Sequence, residues 1–393
     1  MMTLRNVREN EFDDLMALWQ FAFQIQMPPE RVEKERESFR ADNHWGLFDE
    51  NGRLLTNLSI LPLEVWIHGV RMKMGGVASV SSWPDARRQG GVTKLLHHAL
   101  RKMREAGQTI SMLHPFSVPF YRKYGYELTV TRKQYTIETK HFPPRADVPG
   151  TVAIVPKRSE LLNDVYEQYA AKYSCTLART DDWWERKVLS KPGVAALYRN
   201  PDGIAEGYLL YEAADRKMRI HEWVHTTETA RAALWSFIGN HDSMIDQLVM
   251  MAPEDDDLPF LLPEPRFKQE LLPYFMSRIV DVERFIEPYS FAASEREDVL
   301  AIRVEDERAD WNDGWFRLTI PANGRSALVE RTEMAAPGIP SAACDIQTWT
   351  AMLAGGRRPA AFASVGRLKA EEEALAIMER RIPRGPTYLA DFF

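Results

Sequence analysis

Between Val77 and Leu96 the chain reads Val-Ala-Ser-Val-Ser-Ser-Trp-Pro-Asp-Ala-Arg-Arg-Gln-Gly-Gly-Val-Thr-Lys-Leu-Leu, and no other stretch narrows the fold so far. An extended run ends at Pro84, a loop of two arginines and two glycines follows, and a helix begins. From Val92 to Ala106 the residues Leu95, Leu96, Ala99, Leu100 and Met103 recur at helical spacing, and Gly107 ends the run. Gly90 and Gly91 allow unusual dihedrals and a close backbone approach to a ligand. Successive N–H groups of such a turn form an anion nest, and the helix start adds partial positive charge. Arg87 and Arg88, beside Gln89, can donate charge-assisted bonds to phosphate oxygens. The loop suits a pyrophosphate, and it equally suits a plain basic turn capping a surface helix. It is neither a G-x-x-x-x-G-K-[ST] loop nor a G-x-G-x-x-G fingerprint.

The surrounding chain predicts alternating strands and helices. A strand at 3–8 precedes a helix carrying Phe12, Leu15, Met16, Leu18, Trp19, Ala22 and Phe23 on its periodic positions. A charged helix over 31–40 leads to a meander of strands near 45–48, 54–66 and 70–82. A buried strand at 110–113, the aromatic cluster Phe120 to Tyr126, and a strand at 128–138 complete this part. His141-Phe-Pro-Pro and Val148-Pro-Gly150 mark a boundary. Alternation resumes with helices near 160–173 and 227–240 and strands near 194–198, 204–213, 216–225 and 245–251. A further strand is expected from Arg278 to Phe285. Beyond a linker near 287–294 come strands at 299–306, 313–320 and 325–330, then helices at 345–353 and 367–381.

A length of 393 residues exceeds one ordinary core. A formal charge of -6 provides no basic field for nucleic acid. The two cysteines, Cys175 and Cys344, form no metal spacing and no disulfide framework. No apolar run reaches the ~20 residues of a membrane helix, and the polar, acidic N-terminus does not read as a signal peptide. A cytoplasmic protein with no metal and no membrane or nucleic-acid partner is expected.

Phe120-Tyr-Arg-Lys-Tyr-Gly-Tyr-Glu127, about thirty residues after the glycine loop, adds a second motif. Together the two resemble the GCN5-related N-acetyltransferases, whose R/Q-x-x-G-x-G/A loop holds the acetyl-CoA pyrophosphate. Arg87-x-x-Gly90 matches that loop, while Val92 stands where a small residue is usual. Over its whole length the chain resembles the Eis (enhanced intracellular survival) type. The implied fold is α+β and α/β: an active acetyltransferase domain over 1–150, a degenerate second one over 151–287, and a sterol-carrier-protein-like domain over 288–393. The implied co-substrate is acetyl-CoA, with no metal.

The resemblance also implies roles. The backbone at Val80, Ser81 and Ser82 would bind the acetyl carbonyl and pantetheine arm; Arg87 to Val92 would hold the pyrophosphate. Tyr121 would be the general acid, since a phenol is protonated at neutral pH, with Tyr124 and Tyr126 packing in the core. The sequence closes on Pro386-Thr-Tyr-Leu-Ala-Asp-Phe-Phe393, and its two aromatics predict a packed end instead of a frayed one. In the Eis type the terminal carboxylate, here that of Phe393, serves as base. His114, Phe116, Asp391 and Phe392 are expected to line the acceptor site, Asp391 and Glu127 adding acidity, although a satisfied loop histidine and surface carboxylates fit the same residues. The acceptor would be a small-molecule amine such as an aminoglycoside, a polyamine, or a protein lysine. The bulky 114–119 loop implies an altered aminoglycoside range. A trimer-based hexamer is the implied assembly, and a ligand-binding role for the last domain is the competing reading.

Overall fold

The computed structural model describes residues 2–393. The first part supplies strands β1 (Thr3–Asn6), β2 (His44–Phe48), β3 (Leu54–Ile67), β4 (Val70–Ser82), β5 (Ile110–Leu113) and β6 (Glu127–Glu138), with helices α1 (Phe12–Phe23), α2 (Pro29–Glu37), α3 (Gly91–Glu105) and α4 (Val118–Arg122). The middle supplies β7 (Thr151–Val155), α5 (Ser159–Ala170), β8 (Thr176–Ala178), β9 (Val194–Arg199), β10 (Ala205–Ala214), β11 (Lys217–His225), β12 (Gln247–Pro253) and β13 (Lys268–Ile279). These strands build one sheet in the order β1-β2-β3-β4-β5-β13-β6-β12-β11-β10-β9-β7, with β8 paired to β3.

The two halves therefore share their hydrogen bonding. β13 runs antiparallel between β5 and β6, pairing Arg278 with Ser111 on one side and Gln269 with Tyr135 on the other. The register with β6 slips between Pro273 and Phe275. Proline has no N–H to give the ladder, so a bulge at this point costs little and swings Tyr274 out of line.

The last part forms a five-stranded sheet, ordered β16 (Leu328–Thr332), β15 (Gly314–Ile320), β14 (Asp298–Glu305), β17 (Ser341–Asp345) and β18 (Leu368–Ala370). Helices Ile346–Leu353 and Glu372–Arg381 accompany it, the first capped by the Asp345 side chain accepting from the Thr348 N–H at 2.7 Å. Arg278, fully buried, ties β13 to this part through Asp306 and to the first part through the Tyr124 carbonyl. One apolar cluster then runs from Val65 and Met74 through Tyr166 and Trp184 to Trp349 and Leu389.

Two sequence expectations change. Arg278 to Phe285 is not a strand: β13 stops at Ile279, and the Asp281 carboxylate accepts from the Arg284 N–H at 3.1 Å to start helix Val282–Ile286. Residues 367–381 are not all helix, because Leu368 to Ala370 pairs with Ala342 to Cys344 before the helix begins at Glu372.

Candidate active site

The site begins where a sheet comes apart. β4 pairs in parallel with β5 only at Met74–Ile110, Gly75–Ser111 and Gly76–Met112, then continues to Ser82 along β3 alone. Opposite β3 the register slips, Asn57 facing Ser81 and Ser59 facing Ala78, so Ser79 and Val80 share one place in the ladder. Ser79 takes a left-handed conformation at φ 54°, the signature of a bulge that re-aims the chain. From Val77 onward β4 thus has no strand on its β5 side, which leaves backbone groups there for another partner. Ser81 is buried with its hydroxyl unpaired among the described residues, and the Ser82 hydroxyl donates to Thr56 Oγ1 at 3.1 Å.

The basic loop leaves β4 and enters α3. Arg88 and Gly90 both have positive φ, 63° and 76°, and Gly90 caps the helix with no side chain of its own. A Cβ on Gly91 would lie 2.9 Å from Thr56 Oγ1, so α3 starts as close to the sheet as the backbone allows. Gln89 is committed to the loop, donating to the Asp85 carbonyl at 2.8 Å. The Arg87 and Arg88 side chains are exposed and make no hydrogen bond or ion pair among the described residues. Val92, half-buried, packs on the aromatic core below. Free guanidiniums beside uncapped helical N–H groups are the donor set a pyrophosphate requires.

Across the gap, α4 carries Tyr121. Its ring is 2% exposed, and its hydroxyl has no protein partner among the described residues. Phe116 and Phe120 meet it edge-on at 5.3 and 5.1 Å. Burial first, then the neighbouring Tyr126 and Tyr124, pushes its phenol well above the ordinary value. Tyr126, by contrast, is tied down: its hydroxyl meets Ser111 Oγ at 2.8 Å, and that Oγ also donates to the Gly75 carbonyl. Tyr124 bonds Thr93 at 2.6 Å.

The C-terminal segment arrives from the other side. The Ser174 N–H donates to the Pro386 carbonyl at 2.9 Å and Thr176 Oγ1 to the Tyr388 carbonyl at 2.7 Å. Asp391 then enters a buried network. Its carboxylate accepts from Arg179 Nε at 3.0 Å, Trp183 Nε1 at 2.8 Å and the Tyr166 hydroxyl at 3.4 Å, while Tyr274 donates to its carbonyl at 2.6 Å. Arg179 also donates to Glu222. The Phe393 ring finishes against Phe275 at 4.8 Å, and a Cβ on Gly76 would come within 2.9 Å of it. Gly76 neighbours Gly75, the register partner of Ser111, so the Tyr126–Ser111 side and the tail meet where β4 and β5 part.

The expected acceptor residues divide. His114 is exposed, its ring 5.1 Å from Phe392 and 5.5 Å from Tyr274. Phe116 and Phe392 are 70% and 59% exposed, open to a ligand. Asp391 is not: its charge is consumed by Arg179, and it anchors the tail instead of facing a substrate. Glu127 is likewise taken, accepting from Arg122 at 2.7 Å and Arg367 at 3.0 Å.

A cavity of about 1110 Å³ lies beside the tail, bounded by α1, α2, β3, the bulge at Ala78 and Ser79, and residues 177–187. Several of its walls had no signal singled out in the sequence. His44 stacks on Phe39 at 4.7 Å and meets Ser59 Oγ at 2.8 Å, and burial lowers its pKa to about 4. Trp183 sits in a turn that Thr180 caps, and the Thr-Asp-Asp-Trp string is the cue that could have revealed it. Among the described residues no group of three or more metal-type side chains converges, and no helix is long and apolar enough to cross a membrane.

Comparison with known proteins bears on this geometry. Two profiles, each described as an acetyltransferase (GNAT) domain, match residues 3–129 and 175–279, and a sterol carrier protein domain matches residues 282–390. A solved structure from Enterococcus faecalis, described as a probable N-acyltransferase, is 30% identical with all of both chains covered and a TM-score of 0.91. Eis1 from Mycobacterium abscessus shares the fold, at 19% identity, 100% of each chain and a TM-score of 0.81. An uncharacterized N-acetyltransferase of Streptomyces avermitilis is 24% identical over 382 residues, 88% of each chain.

Proposed function

This chain belongs to the GCN5-related N-acetyltransferases, with a sterol-carrier-type domain following its two acetyltransferase domains, and from that premise we propose that it transfers the acetyl group of acetyl-CoA directly to a primary amine. One observation carries the reading. It is the open edge of β4, against which the Phe393 ring packs at Gly76 and which runs on into the loop of the unpaired Arg87 and Arg88, while β5, the strand that parts from it, leads into the helix of Tyr121.

Acetyl-CoA supplies the thioester. Arg87, Arg88 and the first N–H groups of α3 hold its pyrophosphate, and backbone N–H groups around Val80 polarise the acetyl carbonyl. The α-carboxylate of Phe393 holds the substrate ammonium and takes its proton through water, freeing the lone pair. Nitrogen bonds to the carbonyl carbon, the C–S bond breaks, Tyr121 gives its proton to the departing sulfur, and the proton shed by the acylated nitrogen returns to the Tyr121 phenolate as the amide forms. The phenol is protonated at neutral pH, as a proton donor to the thiolate must be. Holding amine and thioester together supplies much of the remaining rate.

Aminoglycosides are the acceptor class drawn from the Eis resemblance; polyamines and protein lysines need the same chemistry. A cytoplasmic trimer-based hexamer belongs to the same proposal, and light scattering tests the assembly. The direct test is CoA release with a panel of amines. Tyr121→Phe should lower kcat by about 10²–10⁴ while leaving stability nearly unchanged, since the hydroxyl bonds nothing in the protein. A residue added after Phe393 should abolish turnover. No CoA release with any amine would remove the proposal; full activity of the extended chain would remove only the base.

A further inference from the structure

The cavity beside the tail has an unusual charge inventory for a polyamine site. Its side-chain carboxylates are Glu35, Glu64 and Asp182, and Asp182 is already paired with Arg186 at 2.6 Å. Against them stand Arg31, Arg40, Lys73 and Lys187, none with an ion-pair partner among the described residues. The other cations are ion-paired, Arg71 with Glu167 and Arg179 with both Asp391 and Glu222, a buried trio with one negative charge in excess. His44 adds no charge near neutral pH, its pKa lying at about 4. With the α-carboxylate of Phe393, three carboxylates thus stand against four unpaired cations. One ammonium is matched at the Phe393 terminus, whereas the further ammoniums of a polycation meet Arg31, Arg40, Lys73 and Lys187, which disfavours it.

The rest of the wall is aromatic. Phe12, Trp19, Phe23, Trp183, Phe392 and Phe393 border the same space, and Phe23 is 47% exposed and Phe392 59%. Faces like these bury a flat apolar body and attract one ammonium through their quadrupoles.

We infer that the acceptor is a primary monoamine carried on an aromatic body, and not a polycation. The inference rests on the acetyl-transfer reading for the chemistry, but the class is set by the cavity. Tryptamine, kanamycin and spermidine are the probes, each measured by calorimetric binding to the full chain with CoA present and by CoA release from acetyl-CoA. Tryptamine is expected to bind at least tenfold more tightly than either polycation, and to show at least tenfold higher kcat/KM. Phe23→Ala should weaken tryptamine severalfold and leave spermidine unchanged. Arg40→Glu combined with Lys73→Glu should improve spermidine at least tenfold relative to tryptamine, the gain shrinking in high salt. Tighter binding of kanamycin or spermidine to the unmodified protein overturns the inference, as does a charge-reversed variant with unchanged preference. Tryptamine binding without any CoA release would overturn acetyl transfer while supporting the acceptor class.

Discussion

The sharpest test of the tail is Asp391→Asn. The substitution keeps the size of the side chain and removes its charge from a network in which the Arg179 and Asp391 side chains are 1% and 3% exposed. Losing one partner of a buried ion pair typically costs ~3–5 kcal/mol. Here Arg179 keeps Glu222, whose two oxygens accept from both its Nη atoms, and asparagine can still accept from Trp183. Roughly half the penalty survives, about 1.5–2.5 kcal/mol, equivalent to a ~12–70-fold change in an equilibrium. Since the network lies two residues before Phe393, most of that change should appear as release of the tail. Steady-state kinetics should show kcat down at least tenfold with the KM for acetyl-CoA within twofold, because none of the α3 loop residues touches Asp391. Carboxypeptidase should remove Phe393 faster from the variant than from the parent. A variant with parental kcat and parental carboxypeptidase resistance would refute the argument that Arg179 holds the tail in its working position.

Arg87→Ala with Arg88→Ala should raise the KM for acetyl-CoA at least tenfold and flatten its dependence on salt, with kcat changed much less; kinetics at two ionic strengths checks it. Gly76→Ala should lower kcat and loosen the tail, because the new Cβ meets the Phe393 ring within 2.9 Å; shortening the ring with Phe393→Leu should restore part of the loss. Stability should fall as pH drops from about 6.5 to 4: burial lowers His44 and His225 to about 4, so the unfolded chain binds more protons in that window. The slope is about 1.4 kcal/mol per pH unit for each histidine, complete above 6.5, and urea midpoints of His44→Gln should show a shallower fall.

Local signals in the chain carried β1 to β6 and α3 well. Leu95, Leu96, Ala99, Leu100 and Met103 are all buried on one helix face, and Asp345 does begin a helix. What escaped was non-local. β13 contains Pro273 and little alternation, and its partners Ser111 and Tyr135 lie well over a hundred residues earlier. β8 spans only Thr176 to Ala178, too short for periodicity to register. In the site, the glycine loop and Tyr121 stood out because their motifs are contiguous. Asp391 was misread because Arg179 is 212 residues away, and nothing near Asp391 announces a buried cation.

The insertion of β13 between β5 and β6 sets a timetable for biogenesis. When β6 leaves the ribosome, Met112 and Val130 still lack the strand that separates them in the finished sheet. Ile279, the last residue of that strand, is 141 positions beyond Glu138. At ~5–20 residues per second that is about 7–30 s with two open strand edges. The nascent chain is most vulnerable to misassembly in that interval, so a chaperone bound to the open seam would do the most good there. A gene fragment stopping after the first motif pair would never leave that state.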